Sequence, residues 1–180
     1  MSALEVSDVA FAYGARRALD GVSFAAAKGR FTALLGPNGA GKSTFINILS
    51  GDLPPSAGRI LLDGQDVTGL DSAGRSHRGI GRSYQRTNIF PQFTVLENCR
   101  LAAQSRRPRP WRIFIDAMKT RDTVERARAA IVEAGLGGRE QRKAGLLSHG
   151  EQRQLEIAMV LATNARVLLL DEPLAGMGSE

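Results

Sequence analysis

The sequence predicts an α/β fold, in which short β-favouring runs alternate with helical patterns around one glycine-rich turn. Three observations carry this expectation. The stretch FTALLGPNGAGKSTFINILSG joins an apolar run, Phe31 to Leu35, to a glycine-rich turn and then to Phe45, Ile46, Ile48 and Leu49 at helical spacing. The stretch VLLLDEP carries the wholly apolar run Val167 to Leu170 straight into Asp171 and Glu172, as a buried parallel strand would. From about Phe93 the strand-and-turn character gives way to helical periodicity.

Taken in order, residues from about Leu4 to Tyr84 alternate strand-like runs with glycine turns, and Gly51 sits where the helix after the glycine-rich turn would stop. VLENCRLAAQ reads as a helix, and it contains Cys99, a small apolar residue that needs no special role. SRRPRPWRI carries prolines at 108 and 110 and is not a regular helix. Val124, Ala127, Ile131 and Val132 then mark one helix face, and GLGGREQRKAG breaks that helix. In the last helix Leu155, Ala158, Met159 and Ala162 follow the i, i+3, i+4, i+7 pattern. Ile157, Val160 and Leu161 add apolar surface, so it is buried on more than one side. The expected organisation is a single domain over 1–180, with a core at 1–89 and 148–180 and a helical subdomain at 90–147.

Composition narrows the classes. With 43% hydrophobic and 6% aromatic residues the chain can bury a core. No stretch approaches the roughly 18 consecutive apolar residues of a membrane-spanning helix. The start MSALEVSDVA lacks the basic-then-apolar pattern of a secretory signal. The lone Cys99 forms no intrachain disulfide, and a reducing cytoplasm is the economical reading. The formal net charge of +6 suits a nucleic acid, an anionic membrane surface or a nucleotide, and equally an ordinary basic surface.

The most specific chemistry lies at Gly36, Pro37, Asn38, Gly39, Ala40, Gly41, Lys42, Ser43 and Thr44. The spacing G-x-x-x-x-G-K-S, between a β-favouring run and a helix, is that of a phosphate loop. Glycines let successive N–H groups point inward at phosphate oxygens, and the helix start adds its positive end. Lys42 supplies a mobile cation for terminal phosphates, and the Ser43 hydroxyl can ligate Mg²⁺. The alternative is a glycine-rich turn that holds no ligand. Asp171 and Glu172 then stand where α/β sheets bind ligands, at the carboxyl end of a strand. Asp171 would hold the Mg²⁺ and Glu172 would polarise an attacking water, unless both are solvated turn acids.

LLSHGEQRQLEIAMVLATNARVLLLDEP resembles the signature motif of ATP-binding-cassette (ABC) ATPases, followed by their second nucleotide motif. The resemblance covers essentially the whole chain. VAFAYGARRALDGVSFAAAKG is similar to the family's N-terminal sheet, SAGRILLDGQDVTGL to its next hairpin and GIGRSYQ to its glutamine loop. RSYQRTNIFPQFTVLENCRLAAQ with LLDEPLAGMG resembles the ATP-binding subunits of branched-chain amino acid importers. The resemblance implies a phosphate-loop (RecA-like) core with an N-terminal antiparallel β subdomain and an inserted α-helical subdomain. Its ligands would be ATP and Mg²⁺, the latter at Ser43, Gln85 and Asp171. Tyr13 would stack on adenine, or else pack in its sheet. Gln85 would reach Mg²⁺ or the attacking water, beside the catalytic Glu172. Ser148 and Gly150 would complete the nucleotide site of a second ABC subunit, while Ser148 also caps its helix.

The sequence departs from the family pattern in three places. His149 replaces the usual first signature glycine. Glu151 replaces the commoner glutamine and is expected to point sideways, since a carboxylate facing the γ-phosphate would repel it. The histidine that the family carries after the next strand has no counterpart here, so the natural chain is expected to continue past Glu180. The partners implied are transmembrane permease subunits, a second ABC subunit and, indirectly, a periplasmic or extracellular solute-binding protein, on the cytoplasmic face of the plasma membrane. Phe90, Phe93 and Glu97 are candidates for the permease-docking surface. No nucleic acid partner is expected: Arg106, Arg107, Arg109 and Arg112 around Trp111 read as a solvated loop. The competing readings are a soluble ABC ATPase acting on nucleic acid or ribosomes, and a phosphate-loop kinase, against which the signature helix argues.

Overall fold

The computed structural model describes residues 2–83, 89–105 and 121–170. They form two compact units, Met1–Ile80 and Gly81–Glu180.

In the first unit, β1 (Ser2–Tyr13) and β2 (Arg16–Ala27) form a long antiparallel hairpin. With β3 (Ala57–Leu62) and β4 (Gln65–Asp66) they make a four-stranded sheet of order β2-β1-β3-β4. Leu4 and Val6 of β1 pair with Leu62 and Ile60 of β3, so apolar side chains meet across the ladder. The β1 register slips near Asp8, whose φ is +51°; Gly58 passes so close that a Cβ there would lie 2.5 Å from the Asp8 carbonyl oxygen. Helix α1 (Lys42–Ser50) lays Phe45, Ile46, Ile48 and Leu49 into the core with Leu4, Val9, Leu19 and Ile60. Gly51 ends it in the left-handed conformation, its N–H donating to the Asn47 and Ile48 carbonyls.

Short helix α2 (Ser72–Arg78) holds the far end of α1 in place. Gly51 sits 2.8 Å, measured from an added Cβ, from the backbone of Asp71 and Ser72. Arg75 of α2 is fully buried, and all its hydrogen bonds go to carbonyls: Nη1 to Ile48 and to Leu49 (3.1 Å), Nη2 to Thr68 (2.7 Å) and Nε to Leu70 (3.0 Å). The guanidinium thus serves the last carbonyls of α1, Leu49 and, alongside the Gly51 N–H, Ile48. Burial pulls its pKa below the usual arginine value, and the Asp66 carboxylate opposes that shift.

One expectation fails here. Phe31 to Leu35 is not a strand, and Phe31 and Leu35 are 87% and 91% exposed. A buried strand exists only through hydrogen-bonded neighbours, and among the described residues none pairs with this run.

In the second unit, α3 (Val95–Ser105), α4 (Arg121–Glu133) and α5 (His149–Ala162) share one core. Val95, Leu96 and Cys99 pack there with Ile131, Leu136, Leu147 and Leu155, and Ala103, Ala127, Ala130, Ala158 and Ala162 let the helices approach closely. The buried face of α4 is Thr123, Ala127, Ala130 and Ile131. Val132, expected on that face, is 65% exposed, because the packed stripe continues through Ala130 instead. In α5, Leu155, Ala158 and Ala162 are buried as the pattern predicts, whereas Met159 of the same stripe is half-buried, like Ile157, Val160 and Leu161. β5 (Ile80–Arg82) and β6 (Val167–Leu169) pair in a two-stranded sheet. Gly81 permits this, since an added Cβ would lie 2.9 Å from Ala165 and 3.3 Å from Val160.

Candidate functional site

The turn at 36–43 has the local geometry of an anion cradle. Gly39 and Gly41 adopt φ of +82° and +87°, which favours glycine. Gly41 is required twice over, because a Cβ there would lie 2.7 Å from the Ala18 carbonyl oxygen. It is also the N-cap of α1, and no side chain caps the first amides of that helix. Those amides and the positive helix end therefore face the loop. Lys42 folds back over it, its Nζ donating to the carbonyls of Gly36 (2.5 Å) and Pro37 (2.8 Å). A cation held on neutral carbonyls can be redirected to an anion, which attracts it more strongly.

Tyr13, the last residue of β1, stands beside this loop. Its hydroxyl lies 3.5 Å from the Thr44 hydroxyl, and its ring meets the edge of Phe11 at 4.9 Å between centroids. Half of its surface is exposed. The fold thus gathers Tyr13 and the 36–44 loop in one place. Gln85, Asp171, Glu172 and the basic run at 106–112 lie outside the described residues.

Ser148 is the N-cap of α5 in a complete capping box. Its hydroxyl accepts from the Glu151 N–H (3.3 Å), and the Glu151 carboxylate accepts from the Ser148 N–H (2.8 Å). Glu151 therefore turns back onto the start of its own helix. Its other oxygen pairs with Arg139 Nε at 2.9 Å. His149 is exposed, and an added Cβ on Gly150 would meet nothing within 4 Å, so the surface there is open.

The loop before α3 carries a second box of the same kind. The Thr94 N–H donates to Glu97 (2.7 Å), and the Glu97 N–H donates to the Thr94 hydroxyl (3.2 Å). The spacing T-x-x-E signals this arrangement. Buried Asn98 accepts from the Phe90 N–H (2.8 Å) and donates to the carbonyls of Phe90 and Thr94. Phe90 and Phe93 stack at 5.4 Å, both about half exposed. Glu97, expected on a docking surface, is thus committed to the start of α3.

Hydrogen bonds donated by the backbone N–H groups of Thr94 and Ser148 hold the Glu97 and Glu151 carboxyls below their ordinary pKa. Both caps therefore contribute fully above the ordinary glutamate value, and the contribution is lost as pH falls through the lowered one. Among the described residues no cluster of His, Cys, Asp and Glu could hold a metal, and no helix is long and apolar enough to cross a membrane.

Comparison with known proteins places this geometry. The family described as ABC transporter matches residues 19–175. The high-affinity branched-chain amino acid transport ATP-binding protein BraF of Pseudomonas aeruginosa is 36% identical over 181 residues, covering 97% of this chain and 70% of BraF. The lipopolysaccharide export system ATP-binding protein LptB of Escherichia coli is 35% identical over 177 residues, covering 98% of this chain and 70% of LptB. Among solved structures, the ADP conformation of an ATP-binding cassette of an ABC transporter superposes with a TM-score of 0.85 at 35% identity, covering 99% of this chain and 71% of that one. With an uncapped, glycine-built loop ahead of α1 and a capped signature helix, the chain belongs to the ABC transporter family as one of its ATP-hydrolysing cassettes.

Proposed function

We propose that this cassette powers an importer of branched-chain or other hydrophobic amino acids. ATP would bind at Tyr13 and Gly36–Thr44, docked on permease subunits at the cytoplasmic face of the membrane. The observation that carries the nucleotide site is the loop itself, with its uncapped helix start and a lysine already folded over it. The likeness to BraF supports the solute class. Mg²⁺ would be held by Ser43, Gln85 and Asp171, where it would offset phosphate charge. Glu172 would accept a proton from the attacking water, and Ser148 and Gly150 would face the nucleotide of a second cassette.

The test is to purify the complex with its membrane subunits and measure ATP-driven uptake in proteoliposomes. Uptake of labelled leucine, isoleucine or valine is expected. A lipid-export complex like that of LptB, or recovery with nucleic acid or ribosomes, would replace the reading. Lys42→Ala should weaken ATP binding by about 10- to 100-fold in calorimetry, since hydrogen bonds to charged groups contribute roughly 1.5–3 kcal/mol. An unchanged affinity in a folded protein would remove the loop from the site.

The stacked pair Phe90 and Phe93 would receive the permease. Alanine at both positions should lower transport several-fold more than basal hydrolysis, because neither ring is needed to cap α3 or fill the core. Equal loss of both activities would place the defect in the fold. Glu97 is a poor probe of docking, since reversing its charge would also break the α3 cap.

A further inference from the structure

The start of the signature helix carries a charge that works against its proposed use. A carboxylate in the first turn of α5, free to swing outward, would oppose an incoming phosphate. Like charges brought close together near a protein surface repel. In the structure both oxygens of Glu151 are engaged, one by the Ser148 N–H at 2.8 Å and the other by Arg139 at 2.9 Å. The Ser148 hydroxyl accepts from the Glu151 N–H, which leaves its own proton to be donated outward.

Arg139 is itself well placed to hold this position. The Arg139 N–H donates to the Leu136 carbonyl, and its own carbonyl accepts from Arg142. The segment that follows is tied to the start of α3: the Leu96 N–H donates to the Glu140 carbonyl, the Val95 N–H donates to the Arg142 carbonyl, and Thr94 bridges Lys143.

We infer that Arg139 is a positioning residue for the signature helix. It holds the Glu151 carboxylate on the helix start and offsets its charge, so that the Ser148 hydroxyl and the open surface at Gly150 can meet the terminal phosphate of a nucleotide on a second cassette. The inference rests on the proposed role of Ser148 and Gly150.

The experiment uses the protein carrying Glu172→Gln, with ATP-dependent dimerisation followed by analytical ultracentrifugation and melting temperature measured in parallel. Arg139→Ala should raise the ATP concentration for half-dimerisation about three- to fivefold, the scale of a partly exposed charge pair. Arg139→Lys should recover most of that loss. In a Glu151→Gln background, Arg139→Ala should add almost nothing, because no carboxylate remains to be held. A merely structural arginine would carry the same penalty in both backgrounds, and that result overturns the inference. So does an unchanged midpoint for Arg139→Ala alone. Ser148→Ala separates the two layers: if it weakens dimerisation while Arg139→Ala does not, only the positioning role fails, and if neither matters, the reading of the signature helix fails with it.

Discussion

Arg75→Met is expected to destabilise the first unit by about 3–5 kcal/mol. The substitution keeps roughly the volume of the side chain and removes every donor. The carbonyls of Leu49, Thr68 and Leu70 would then lose this donor, while Ile48 keeps the Gly51 N–H, and a buried acceptor without a partner costs about 1–3 kcal/mol. Some of that penalty will be relieved by relaxation or water entry, which is why the expected total lies below the simple sum. Because whole domains are stable by only 5–15 kcal/mol, the loss is a large share. In urea the midpoint should fall by about 2 M at the slope usual for small domains. Arg75→Lys should fall between the two, since an ammonium on a flexible stem cannot reproduce the planar fork. A midpoint within 0.5 M of wild type for Arg75→Met, as a rough threshold, would show that the carbonyls find other partners.

Glu172→Gln should leave a protein that binds ATP and turns it over on the order of 10²- to 10⁴-fold more slowly, the usual contribution of a general base. The amide keeps the shape of the carboxyl and can still accept a hydrogen bond, but it cannot take the proton of an attacking water. Glu172 follows β6 (Val167–Leu169), which is anchored by the Ser83 N–H donating to the Leu169 carbonyl at 3.0 Å. The substitution should therefore leave melting temperature and nucleotide affinity near wild type while single-turnover hydrolysis slows. Turnover within a fewfold of wild type would mean that another group serves as the base.

What could be read from the sequence was set by how locally each feature is determined. Gly39, Gly41 and Lys42 announce a tight loop because few other residues tolerate that backbone or supply that charge, and the helix from Lys42 to Ser50 follows where Gly51 ends it. Ser148 was legible as a cap because its partner sits three residues on. Phe31 to Leu35 misled because apolar composition speaks for a buried strand, yet pairing depends on distant neighbours. Val132 misled in a smaller way: valine looks like core, but small Ala130 and Ala127 set the packed face of α4. Arg75 and Arg139 left no trace in the sequence. Each acts on groups far along the chain, 26 residues from Arg75 to Leu49 in one case, and nothing in SAGRSHR or GGREQ marks the arginine that folds inward.

Cys99 offers the experimenter an unplanned convenience. It is the chain's one cysteine, wholly buried in the α3–α4–α5 core, with burial pushing its thiol up to about 12. Alkylating and disulfide-exchange reagents attack the thiolate, which burial makes scarce at neutral pH. Spectroscopic labels can therefore be attached to cysteines introduced on the surface without first removing the native one. Conversely, slow reaction of Cys99 in the unaltered protein becomes a clock for the opening of the helical unit, readable by mass spectrometry with no added probe.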